Sequence, residues 1–259
     1  MGGEGSLREM VMLPAVLALL LAGSPGESER VDYVVSKLLD NGVPRQEVEA
    51  LFRDPRLTTY APRVIRPRKI EWDRLIARLV SPESVSRGSR FLAEHDEVLT
   101  RAEEKFGVAK EILAGILRIE SNFGNNTGRY ITFNVFYTAL LGSTEEKRWK
   151  WAAANLVSLV AYCRTAGMDC FEVRGSYAGA MGPAQFLPVS LEMHGADSNG
   201  DNLADPFDTG DAIFSAANFL AANGWRENKI QALGKYYGSA EGYPRAVLAY
   251  AEALGRSSR

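Results

Sequence analysis

Histidine is nearly absent from this chain of 259 residues, with His95 and His194 the only two. They are too few and too far apart for an HExxH zinc site or a multi-histidine metal centre, and any Ser-His or Cys-His nucleophile would have to run through one of them. Cysteine is equally scarce, Cys163 and Cys170 being the whole supply, which excludes a disulfide-dense scaffold. Charge of one sign is lacking too. With 30 Lys and Arg against 32 Asp and Glu, the formal net charge is −2, so nothing electrostatic points to nucleic acid as a partner. Ordinary hydrophobic (46%) and charged (24%) fractions exclude a disordered or collagen-like chain. Acid and base work is left to carboxylate, Lys or Tyr.

No apolar run is long enough for a membrane span. Val11 to Ala22, VMLPAVLALLLA, carries no charge but falls short of the about 20 residues a bilayer needs. Arg8 before it and GSPGES behind it make the first 26 residues or so read as a secretory signal, a buried helix being the alternative. Ser24 stands where a lipidated cysteine would be needed, so the expectation is a periplasmic or secreted protein without a lipid anchor. In an oxidising compartment the spacing of Cys163 and Cys170 around Gly167 permits a disulfide; two buried free thiols are the alternative.

Beyond the leader, apolar residues recur at three and four in VDYVVSKLL, RQEVEALF, KIEWDRLIARLV, KEILAGILRIE, KRWKWAAANLVSLVAYC, TGDAIFSAANFLAANGW and PRAVLAYAEAL. Strict alternation is missing, and with it any sizeable sheet. The pattern predicts a mainly α fold. Ser81 and Pro82 open one long helix expected to run to about Phe106. The Pro- and Arg-rich stretch Asp54 to Pro67 is expected to wrap over the surface, so residues 27–80 form a small N-terminal helical lobe with a wrapping segment, and 81–259 the main body.

On a helical wheel, Ile112, Leu113, Ile116, Leu117 and Ile119 of KEILAGILRIE fall in an arc about 160° wide. Glu120 lies near its middle, whereas Arg118 and Glu111 face away. A carboxylate is thus aimed where hydrocarbon belongs. Burial disfavours its charged form, and SNFGNNTG ends the helix there, setting Glu120 beside the negative end of the helix dipole. Both effects raise its pKa, and a carboxyl that keeps its proton near neutral pH is a general acid for glycoside cleavage. The alternative is a structural Glu bonded to a buried Arg or to backbone amides.

RGSYAGAMGPAQFLPVS, Arg174 to Ser190, combines dense glycine with Ser176, Tyr177, Met181, Gln185 and Phe186. Uncharged polar groups beside flat apolar faces, on a backbone that permits close approach, suit a sugar chain; the alternative is a tight helix crossing. In DSNGDNLADPFD, Asp197, Asn199, Asp201, Asp205 and Asp208 hold positions 1, 3, 5, 9 and 12, with the Leu203 carbonyl at position 7. This is EF-hand spacing and predicts a structural Ca²⁺, against a solvated Asx-turn loop, although Asn202 replaces the usual Gly and Asp208 the usual Glu. Asp211 reads as a helix-start charge.

ILRIESNFGNNTGRY, FNVFYTALL, GSYAGAMGPAQFLP, the acidic loop and AANFLAANGW, in that order, resemble the membrane-bound lytic murein transglycosylase B family, glycoside hydrolase family 103. The likeness covers roughly Ser81 to Leu254 and reaches weakly back to about Val31. It implies a lysozyme-like helical fold and cleavage of the β-1,4 bond between N-acetylmuramic acid and N-acetylglucosamine in peptidoglycan strands. No cofactor takes part. The glutamate matching Glu120 protonates the glycosidic oxygen, then deprotonates the C6 hydroxyl that attacks C1, leaving a 1,6-anhydro sugar. Because the nucleophile belongs to the substrate, no second carboxylate is demanded. Ser176 and Gln185 match substrate-contacting residues of the family, while Tyr177 and Met181 shape its groove. Tyr236 keeps its place in an Arg-Tyr-Asn motif whose Asn is here Tyr237. A hydrolase of the same fold and a non-catalytic glycan-binding module are the other readings, and cell-wall assembly partners stay unassigned.

Overall fold

The computed structural model describes residues 25–61, 70–238 and 242–257. The leader expectation and the Pro67 end of the wrapping segment lie outside them. Twelve helices and one two-stranded sheet make up the described chain: α1 Pro25–Asp40, α2 Arg45–Arg53, α3 Trp72–Leu79, α4 Pro82–Glu94, α5 Asp96–Phe106, α6 Lys110–Ser121, β1 Tyr130–Ile131, α7 Thr132–Gly142, α8 Glu146–Ala166, β2 Arg174–Gly175, α9 Pro188–His194, α10 Thr209–Ala222, α11 Lys229–Tyr237 and α12 Gly242–Ser257. The strands pair antiparallel, Tyr130 opposite Gly175 and Ile131 opposite Arg174. The mainly α expectation is met.

One continuous core runs from Val31 to Leu254. At its centre α6 buries Ile112 through Leu117 on every side, against α12, α4, α5 and α10. Each fully buried Leu or Ile there stabilises the fold by about 2 kcal/mol, so the helix carrying Glu120 is among the least mobile parts of the molecule. Tyr250 of α12 donates to the Ser84 carbonyl of α4 at 2.8 Å, and the Trp225 indole donates to the Gly107 carbonyl at 3.0 Å, closing the two ends of the same layer.

Asp54 to Ala61 does wrap over α7. Asn134 Nδ2 donates to the Arg56 carbonyl (2.9 Å), and Tyr60 N donates to Thr138 Oγ1 (2.9 Å). Arg56 pairs with Asp54 (2.7 Å) and Asp169 (2.8 Å), fastening this segment to the loop after α8.

The single helix expected from Pro82 to Phe106 is two. His95, at φ −115° and ψ 20°, breaks it, and Asp96 and Glu97 then supply the acidic first turn of α5. Three helices lack the expected periodicity. The mostly apolar α7 buries Thr132 through Tyr137 in an unbroken run, α9 has only 7 residues, and most of α11 lies on the surface. Cys163 and Cys170 are free, buried thiols hydrogen-bonded to each other, which together with burial raises the Cys170 pKa.

Candidate active site

Helix α6 ends at Ser121, one residue past Glu120, and the next three residues all take positive φ: Asn122 (55°), Phe123 (59°) and Gly124 (81°). Phe123 N donates to the Leu117 carbonyl at 2.9 Å, and buried Ser121 donates to the Pro183 carbonyl at 2.7 Å. The end of α6 is thereby tied to the Gly182–Gln185 turn. Phe123 pays for its left-handed backbone by stacking on Phe91, centroids 4.4 Å apart.

That turn and the Asn125–Tyr130 loop face each other across a groove enclosing about 560 Å³, with Glu120, Arg129, Ser176, Tyr177 and Gln185 among its lining residues. Gln185, itself at φ 54°, donates through Nε2 to the carbonyls of Gly182 (2.9 Å) and Thr127 (3.2 Å). Its amide oxygen is left for a ligand. Ser176 Oγ accepts from Ala180 N (3.1 Å) and keeps its own proton to donate. Tyr177, 53% exposed, offers an open ring face at the rim.

Protein closes around the Glu120 carboxyl while part of the residue stays open to the groove. The Tyr243 hydroxyl donates to Glu120 Oε1 at 2.7 Å. Burial pushes the Glu120 pKa from 4.5 up to about 7, and the Tyr243 hydrogen bond holds it from going higher. The same burial, together with the neighbouring Glu120 charge, raises the Tyr243 and Tyr236 phenols well above their ordinary value, so both remain O–H donors. No Arg is bonded to Glu120, and among the described residues no other carboxylate lines the groove.

Of the residues singled out from sequence, Glu120, Ser176, Tyr177 and Gln185 converge. Met181 and Tyr236 are not among the residues that line this groove. Backbone bridges from Met181 to Gly175 and Phe186 turn its side chain fully into the core. Tyr236 spends its hydroxyl on the Ala184 carbonyl (2.8 Å), supporting the Gln185 turn from behind. Sequence reasoning missed Tyr243. Tyr237 stacks on the Tyr243 ring (4.7 Å, 14°) and meets Trp72 edge-on (5.8 Å), so the residue replacing the expected Asn covers the acid's hydrogen-bond donor.

The acidic loop diverts two of its six expected ligands, Asp205 and Asp208, to other partners. Asp197 accepts from the amides of Asn199, Gly200 and Asn202 at 2.6–2.9 Å, which lowers its pKa, while Asn199 and Asp201 accept from Asp201 N and Leu203 N. Asp205 instead turns to the Tyr162 hydroxyl (2.9 Å) and Phe207 N, and Asp208 caps α10 through Asp211 N. Among the described residues no three His, Cys, Asp or Glu side chains converge as a metal cluster. Asp211 lies in the first turn of α10 as expected, but fully buried; it accepts from Ser198 N (2.7 Å) and Asp205 N (2.9 Å) and holds the loop onto α10.

Comparison with known proteins gives a family model, the transglycosylase SLT domain, matching residues 26–235. Membrane-bound lytic murein transglycosylase B of Escherichia coli strain K12 is 27% identical over 216 residues, 79% of this chain; the chain spans 58% of that relative's length. The Escherichia coli lytic transglycosylase Slt35 in complex with bulgecin A superposes with a TM-score of 0.77 at 21% identity, over 92% of this chain and 95% of that one, and the same protein has been solved in complex with calcium. SltB3 of Pseudomonas aeruginosa in complex with NAG-NAM-pentapeptide gives 0.75 at 19% identity, over 91% and 81%.

Proposed function

From the premise that the chain belongs to the transglycosylase SLT domain family, we propose that it is a lytic transglycosylase of peptidoglycan with Glu120 as its one acid and base. The observation that carries this is a carboxyl held protonated to about pH 7 on the floor of a sugar-sized groove, beside one Tyr donor and no second lining carboxylate. Protonated Glu120 gives its proton to the glycosidic oxygen as the C1–O bond breaks. The carboxylate so formed is stabilised by the Tyr243 hydroxyl and accepts the proton of the muramoyl C6 hydroxyl as that oxygen bonds to C1. Glu120 ends protonated, as it began, and the muramoyl unit leaves as a 1,6-anhydro sugar. Among the described residues a two-carboxylate hydrolysis finds no second partner lining this groove. Ser176, Gln185 and Tyr177 hold the sugars. Peptidoglycan lies outside the cytoplasmic membrane, so this reading places the protein in the periplasm or outside the cell. Among the described residues no helix is long and apolar enough to cross a membrane.

Because turnover starts from the protonated acid, kcat/KM on purified glycan strands is expected to fall above pH 7, with its midpoint near the Glu120 pKa of about 7. Tyr243→Phe removes a donor that favours the charged carboxylate, so that midpoint should move up. A profile flat across pH 6–8, or a downward move in the variant, contradicts the assignment.

The acidic loop is proposed to take a structural Ca²⁺ through Asp197, Asn199, Asp201 and the Leu203 carbonyl, with no part in the proton transfers. Supporting this are a loop already wrapped around the Asp197 carboxylate and the calcium complex of Slt35. Adding Ca²⁺ at about 100 times its Kd should stabilise the fold by about 2.7 kcal/mol, read as a rise in Tm that Asp197→Ala abolishes. A Tm indifferent to both Ca²⁺ and a chelator removes the metal.

A further inference from the structure

We infer that the Asn125–Tyr130 arm of the groove is a subsite for a carboxylate of the peptide carried by the muramoyl residue, and that Arg129 is the cation that receives it. This rests on the peptidoglycan reading above and states which strands the enzyme prefers. Among the described residues, Glu120 and Arg129 are the two charged ones that line the groove; the rest are neutral. With Glu120 protonated, the groove carries one uncompensated positive charge. Some arginines, Arg56 and Arg164 among them, have a carboxylate within 4.0 Å; among the described residues Arg129 is one of those that have none, and it is the one that lines the groove.

The backbone that carries the cation is held in place. The guanidinium lies 5.7 Å from the centre of the Tyr130 ring, and Tyr130 rests edge-on against Tyr60 at 5.2 Å. Tyr60 accepts from Ile131 N at 2.9 Å. On the other side, Gly128 at φ +101° lies so close to the Gly175 carbonyl that a Cβ would stand 2.0 Å from that oxygen, and the Thr127 carbonyl is bonded to Gln185. The backbone flanking Arg129 is thus tied to the wall that carries Ser176. An unpaired guanidinium on a fixed stretch of backbone suits a planar anion. The hydroxyl and acetamido groups of the glycan are neutral, so the matching anions are the carboxylates of the peptide on the lactyl ether.

The test compares kcat/KM on peptide-bearing glycan strands with that on strands stripped of peptide and on strands whose peptide carboxylates are amidated. Wild type should favour the peptide-bearing strands about tenfold, mainly through KM, and treat amidated strands like stripped ones. Arg129→Gln should erase that preference, Arg129→Lys should restore part of it, and Arg129→Glu should invert it. A preference that survives Arg129→Gln, or an active wild type with no preference, overturns the subsite alone. A wild type that cleaves none of the three strands overturns the transglycosylase reading itself.

Discussion

Glu120→Gln is expected to leave the chain folded and to cut turnover about a thousandfold, the scale of a lost general acid. The amide still accepts from Tyr243, so the 2.7 Å hydrogen bond and the groove survive while the transferable proton is gone. The same change carries a stability signature. Burial raises the Glu120 pKa from 4.5 to about 7, and a group whose folded-state pKa is raised favours folding most at low pH. That contribution is lost as pH rises from 4.5 through 7, because the folded chain must then hold a charge in a poorly solvated place. Gln never acquires the charge. Relative to wild type the variant should therefore gain about 2 kcal/mol above pH 8, a figure discounted for the water that reaches the groove, and nothing near pH 4. In Tm this is roughly 4–8 °C at pH 8. A gain of equal size at both pH values would mean that Glu120 is not buried in its charged form.

Gly182→Ala is expected to be the most damaging small substitution outside the acid. Gly182 sits at φ +68°, and a Cβ there would stand 1.7 Å from the Pro206 carbonyl oxygen. Pro206 has little room to yield, since Asp205 beside it is held by Tyr162 and Asp211. The Gln185 turn and the acidic loop are clamped together at this one contact. A cost of about 3 kcal/mol or more follows, a fall of roughly 6–12 °C in Tm for a chain of this size, with Gln185 displaced and KM raised. Gly234→Ala is the control. It lies inside α11 with nothing within 4 Å of the added Cβ, and should be neutral or slightly stabilising. Equal melting of the two variants would show that the clamp does not exist.

Much of the groove was legible in the sequence because each signal was local. Glu120 stood out by facing the apolar arc of its own helix, and Ser176, Tyr177 and Gln185 shared one glycine-rich segment. Tyr243 was not legible. It lies 123 residues from Glu120, at the start of a helix whose periodicity marks it as core, and only the packing of α12 on α6 delivers its hydroxyl to the acid. Met181 and Tyr236 show the converse. Their residue types suit a sugar site, but a β-bridge and the Ala184 carbonyl claim them for its support. In the acidic loop, spacing set which residues stood at positions 9 and 12 but not where they turned, and Tyr162 and the α10 N-terminus took Asp205 and Asp208. The break at His95 was hidden because the apolar periodicity of α4 and α5 runs on across it.

The mass of the muropeptides released from purified sacculi is the most direct test of a single carboxyl acting first as acid and then as base toward the substrate's own C6 hydroxyl. Wild type should release products ending in anhydromuramoyl units, each lighter by one water than the hydrolytic product, and Glu120→Gln should release almost none. Products carrying the full water, or equal release by the variant, would contradict the account.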